Sequence, residues 1–174
     1  MMLAAVLSLA IWLYLLFAHG RFWQAGPVLL AAQRGLAPGV APSVAVVVPA
    51  RDEAPLIGAT LRSLLGQNYP GPLRVILVDD NSTDGTGSIA RAIGDPRLTV
   101  LAGAPRPAGW SGKLWAAAQG VGRAAPAELI LLTDADIVHD RDHVSALVAQ
   151  IERNRLDLVS EMVKLACESP AERA

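Results

Sequence analysis

The sequence predicts an α/β fold, a mostly parallel sheet flanked by helices and preceded by an N-terminal apolar helix. Three observations carry that expectation. Short β-branched apolar runs alternate with segments whose apolar residues recur at helical spacing. The strongest acidic clusters each follow one of those runs. All sixteen Asp and Glu residues lie from Asp52 onward, so the first fifty residues differ in kind from the rest.

Met2 to Ala18 is uncharged and apolar, at the short end of the roughly 17–25 residues that span a bilayer. Trp12, Tyr14, Phe22 and Trp23 crowd toward its far end, where aromatic rings favour headgroups. No cation precedes it, as a cleaved signal would require, and Arg21 and Arg34 follow it. The expectation is an uncleaved single-pass anchor over 1–23 with the body cytoplasmic. Residues 24–42 read as a membrane-proximal connector with a short interfacial helix around Val28 to Arg34, and 43–174 as the globular domain.

Within that domain, Ser43 to Val48 reads as a buried strand. Pro55 suits a first helical turn, and Leu56, Ile57, Leu61, Leu64 and Leu65 continue at helical spacing. Breakers fill 66–72, and Arg74 to Val78 is the second strand. Ser82 or Thr83 is a candidate cap for a helix through Ile89 and Ala92. Leu98 to Leu101 is a third strand, followed by a Pro- and Gly-rich loop to Gly112. Lys113 to Arg123 reads as a helix, Leu129 to Leu132 as a strand, Arg141 to Arg153 as a helix, and Leu156 to Lys164 as a last strand.

Strands alternating with helices imply parallel pairing, and ligands of such sheets bind beyond the strands' carboxyl ends. Arg51-Asp52-Glu53 follows the first strand, Asp79-Asp80-Asn81-Ser82 the second, and Asp134-Ala135-Asp136 the fourth. Solvated turns would scatter charge to both edges; here it gathers at one. Asp134 and Asp136 offer hard oxygen ligands one residue apart, suited to Mg²⁺ or Mn²⁺ with phosphates and water completing the shell. The bland alternative makes Asp136 or Asp140 a helix cap. One of Asp79 and Asp80 suits a base or ribose. The segment fails as a calcium loop because Arg91 stands at its twelfth position, and as a dinucleotide fingerprint because its acids would repel a pyrophosphate. Gly109 to Lys113 is not a P-loop, since Leu114 follows the lysine, but Lys113 at a helix start can meet a diphosphate. Cationic clustering for nucleic acid is missing, and one cysteine, Cys167, excludes internal disulfides and cysteine-based zinc sites. His139 and His143, four apart, read as a solvated helix face.

Val46-Val47-Val48-Pro49-Ala50-Arg51-Asp52-Glu53, Val78 to Thr86 and Asp134-Ala135-Asp136, in this order, resemble the inverting family 2 glycosyltransferases of GT-A fold. Ala108 to Lys113, Leu158 to Ser160 and Met162 to Lys164 are most similar to the subgroup associated with hopanoid biosynthesis. The resemblance covers Ser43 to the end. It implies that Pro49, Ala50, Arg51 and Glu53 lie beside a nucleotide-diphosphate sugar, a UDP-sugar by preference, with Asp79 or Asp80 on the uracil or ribose. Lys113 would join the donor site, Asp134 would serve nucleotide and metal, and Asp136 the metal. The acceptor would be a lipid or glycan, and the protein would sit at the bacterial inner membrane.

The family's general base lies well downstream of the paired aspartates. Asp157, Glu161 and Glu168 are the acids to consider here, and none sits in the expected motif. Arg51-Asp52 also departs from the commoner Arg-Asn. The sequence therefore reads as a donor-binding portion truncated at its C-terminus, with a non-catalytic nucleotide-sugar-binding module as the competing class. A nucleotidyltransferase would want a basic, Gly-rich loop after the first strand, where Asp52-Glu53 stands.

Overall fold

The computed structural model describes residues 2–19, 29 and 41–163. The chain divides into two units, 1–30 and 31–174. In the first, Met2–Phe17 forms helix α1, sixteen uncharged residues with no buried side chain. At 1.5 Å per residue it is about 24 Å long, short of a hydrocarbon core of about 30 Å. No helix among the described residues is long and apolar enough to cross a membrane, so the expected single-pass anchor lacks structural support. Phe22, Trp23, the topology-setting Arg21 and Arg34, and the interfacial helix around Val28 to Arg34 lie outside the described residues.

The second unit carries strands β1 (Val44–Ala50), β2 (Leu73–Asp79), β3 (Leu98–Ala102) and β4 (Leu129–Leu132). Between and after them come helices α2 (Ala54–Leu65), α3 (Thr86–Arg91), α4 (Gly112–Arg123) and α5 (His143–Asn154). The sheet order is β3-β2-β1-β4, and all three pairings are parallel. From β1 the chain steps outward to β2 and β3, then returns to the other side as β4. Such a reversal opens a crevice at the carboxyl ends of β1 and β4.

Both faces of β1 are covered, which is why its run is apolar without alternation. Val44, Val46 and Val48 pack with Ile57, Leu61 and Leu64 of α2 and Val144 and Val148 of α5. Ala45 and Val47 turn the other way, with Ile76 and Val78, toward Ala116 of α4. Gly120 lets α4 lie close on that second face, since a Cβ there would stand 2.3 Å from Val47 Cγ1.

Two expected elements differ. The third helix begins at Thr86, behind Gly85, not at Ser82 or Thr83, because the Ser82 hydroxyl accepts the Asp52 N–H and the Thr83 hydroxyl donates to Asp52 Oδ1. Residues 156–163 form no strand. Arg155 ends α5 in the left-handed region at φ 52°, and the segment pairs with no neighbour. Leu158 and Met162 then stay 80% and 98% exposed, so the apolar run that suggested a buried strand is not buried.

Candidate functional site

Two loops at the carboxyl edge of β1 and β2 are stitched together by side chains. Asp52 N–H donates to Ser82 Oγ (3.0 Å), Glu53 N–H to Thr86 Oγ1 (2.8 Å) and Ala54 N–H to Asp84 Oδ2 (2.8 Å). In return Thr83 N–H donates to Asp52 Oδ1 at 2.7 Å. The Thr86 hydroxyl, first, and the Ala54 N–H hold the Asp84 carboxyl below its usual range. Ser82, Thr83 and Asp84 thus shape the loop, although the sequence pattern around Ser82 and Thr83 suggests only a helix start. Asp52 accepts its bond from a left-handed backbone, φ 55°, which re-aims the chain between strand and helix.

The cleft at this edge, about 260 Å³, is lined by Pro49, Ala50, Arg51, Glu53, Asp80, Gly112, Lys113, Ala116, Asp134, Ala135 and Asp136. Every residue expected on the donor site is here except Asp79. Adjacent residues at a strand end point to opposite faces. Asp79 turns toward α3, where its Oδ1 accepts the Ser82 N–H at 3.0 Å. Gly87 makes room for it, since a Cβ at 87 would lie 2.1 Å from Asp79 Oδ2. Asp80 turns toward α4, 7% exposed, with Arg51 Nη1 3.8 Å from its Oδ2.

Across the cleft, Lys113 Nζ meets Asp134 Oδ1 at 2.7 Å. Ser111 caps α4, its Oγ accepting the Leu114 N–H, which places Lys113 in the helix's first turn. A cation at that end opposes the helix dipole, and Asp134 compensates it. Asp134 and Asp136 flank the buried Ala135, so their carboxylates share the open side of one turn. No cluster of three or more potential ligands exists among the described residues. Two carboxylates are nonetheless the protein share that Mg²⁺ or Mn²⁺ usually takes beside a diphosphate, so the donor set fits such an ion.

The histidines depart from the expected solvated face. His139 is buried, its Nε2 3.0 Å from Thr133 Oγ1, and its ring centroid is 4.8 Å from that of His143. Burial first, then His143, push its pKa down to about 4 against an opposing pull from Asp140, leaving a neutral ring beside the Asp134 turn. Of the acids considered as a base, Glu161 is 3.1 Å from His143 Nε2, and neither it nor Asp157 lines the cleft. Glu168 and Cys167 lie outside the described residues.

Comparison with known proteins bears on the family and the fold. The chain is 36% identical over 111 residues to 4,4'-diaponeurosporenoate glycosyltransferase of Staphylococcus aureus, which covers 63% of this chain and 28% of that protein. The mannosyltransferase PcManGT from Pyrobaculum calidifontis, solved with GDP-Man and Mn²⁺, superposes with a TM-score of 0.54 at 33% identity, covering 69% of this chain and 36% of that one. S. aureus TarS 1-349, solved with UDP, gives 0.55 at 26% identity over 65% of this chain and 33% of its own. The chain therefore spans about a third of the length of these relatives. The hopanoid-associated subgroup is not among them. Residues 45–166 match glycosyl transferase family 2, and the chain belongs to that family.

Proposed function

We propose that this chain is the donor-binding portion of an inverting glycosyltransferase that takes a sugar from a uridine diphosphate donor. The observation that supports it is the gathering of Arg51, Asp80, Lys113, Asp134 and Asp136 in one cleft at the sheet's switch point. Asp80 accepts hydrogen bonds from the uracil or ribose, held in reach by Arg51. Lys113 and the first turn of α4 meet the diphosphate, adding a cation to N–H groups that already favour anions. Asp134 and Asp136 would hold Mg²⁺ or Mn²⁺, and such an ion would supply positive charge against the leaving diphosphate. TarS with UDP supports the uridine choice; PcManGT with GDP-Man makes guanosine the comparison to run.

The acceptor in this proposal is a lipid or a glycan, and the resemblance to the hopanoid-associated subgroup favours the lipid. The apolar Met2 to Ala18 run attaches the protein to the inner membrane, with its body cytoplasmic.

Calorimetry with UDP and GDP, each with Mn²⁺ and with EDTA, tests the reading on wild type and Asp136→Ala. Tighter binding of UDP that is lost with EDTA and in the variant is expected. Affinity indifferent to both changes would remove the metal, and binding of neither nucleotide would overturn the donor site.

A further inference from the structure

The turn that carries Asp134 and Asp136 does not stand on its own strand alone. Thr60, Ser63 and Gln67 recur at intervals of three and four along α2 and just past its end, so they share one face. Each reaches the segment after β4. Thr60 Oγ1 donates to the Ala135 carbonyl at 2.7 Å, in the buried interior. Ser63 Oγ accepts the His139 N–H at 3.0 Å. Gln67 Nε2 donates to the Asp140 carbonyl at 2.7 Å, while its Oε1 accepts the Val144 N–H at 2.9 Å.

A hydroxyl has one hydrogen to give. The alternative acceptor for Thr60, the Leu56 carbonyl of its own helix, is at 3.4 Å, so the hydrogen goes to Ala135. That carbonyl belongs to the peptide joining Ala135 to Asp136. Fixing its direction fixes the plane from which Asp136 departs and, through the buried Ala135, the angle between the two carboxylates. Thr60 is fully buried, and so has no contact with solvent or ligand of its own.

We propose that Thr60 is a positioning residue for the metal turn, acting through the Ala135 carbonyl to set Asp134 and Asp136 for a divalent ion. The inference rests on the donor-site reading above. The same helix begins behind Glu53, which lines the cleft, so α2 ties the β1 side of the cleft to the aspartate side as one rigid piece. Partners that orient metal ligands typically change affinity by about 10–100-fold when removed.

The test is Mn²⁺ affinity from the free-ion electron paramagnetic resonance signal, measured on the full chain with UDP present. Thr60→Val keeps the shape and deletes the donor; Mn²⁺ binding should weaken by about tenfold or more. Thr60→Ser should restore it. If Thr60→Val does not fold, Thr60→Ser against Thr60→Ala, which differ by one oxygen, carries the comparison. Val148→Ala, a core cut on α5, controls for general loosening and should bind Mn²⁺ as wild type does. Equal affinity in Thr60→Val and wild type would overturn the proposal, as would an equal loss in Val148→Ala. Failure of wild type itself to bind Mn²⁺ would instead strike the donor-site reading.

Discussion

Lowering the pH should destabilise this protein through one side chain before the carboxylates matter. The His139 ring is buried against Thr133 and His143, and its pKa falls from 6.5 to about 4. In the unfolded chain the ring takes a proton below about pH 6.5; in the folded chain it resists until about 4. The stabilisation of the neutral ring is therefore complete above about 6.5 and is lost as pH falls toward 4. Two and a half pH units at about 1.4 kcal/mol each come to about 3 kcal/mol, a large part of the roughly 5–15 kcal/mol that holds a domain. Asp84, Asp95 and Glu128 have lowered pKa values and lose their contribution only as pH falls below the ordinary carboxylate range. The interval from 6.5 to 4.5 thus belongs to His139. Urea unfolding followed by circular dichroism should show the midpoint falling by about 1–3 M between pH 7 and 4.5, given slopes of about 1–3 kcal/mol per molar. His139→Gln, which keeps a polar group near Thr133, should flatten that dependence whatever its stability at pH 7. A wild-type midpoint that does not move, or one that moves equally in the variant, would refute the reasoning.

Two glycines of α4 should respond with opposite signs. Gly120→Ala drives a methyl into Val47 and should cost about 1–3 kcal/mol of overpacking, whereas Gly122→Ala meets nothing within 4 Å and should gain about 0.5–1 kcal/mol of helix propensity, both read by thermal melts. Lys113→Met should weaken UDP binding in calorimetry and remove much of its salt dependence. It should leave stability within about 1 kcal/mol, because the Lys113–Asp134 pair is half-exposed.

The central strands β1 and β2 were legible because burial on both faces writes itself as an unbroken apolar run, and the site edge because acids followed the runs. What hid was everything decided by partners distant in sequence. Ser82 and Thr83 look like caps until Asp52, thirty-one residues before Thr83, accepts the Thr83 N–H. His139 looks solvated because the residues that enclose it come from α2 and the end of β4. The run from Leu156 failed as a strand for the reverse reason. Its composition suits a sheet, but composition supplies no hydrogen-bonding neighbour, and residues 156–163 have none among the described strands.

The choice between Asp79 and Asp80 lay closer to the surface of the sequence. Along β2 the side chains alternate: Val75 and Leu77 face α2, while Ile76 and Val78 face α4. Continued by two residues, that parity sends Asp79 to the α2 and α3 side and Asp80 to the α4 side. Lys113 opens α4, so only Asp80 shares a face with the cation expected at the diphosphate. Asp79 then needs another use, and the Gly-x-x geometry of α3 provides it: a residue with no side chain at 87 leaves the space its carboxylate fills. One acid holds the loop and the other faces the cleft, so replacing Asp79 should loosen residues 80–86 and Asp80 with them, whereas replacing Asp80 should weaken the nucleotide while leaving the loop's bonds to Asp52 and Glu53 in place.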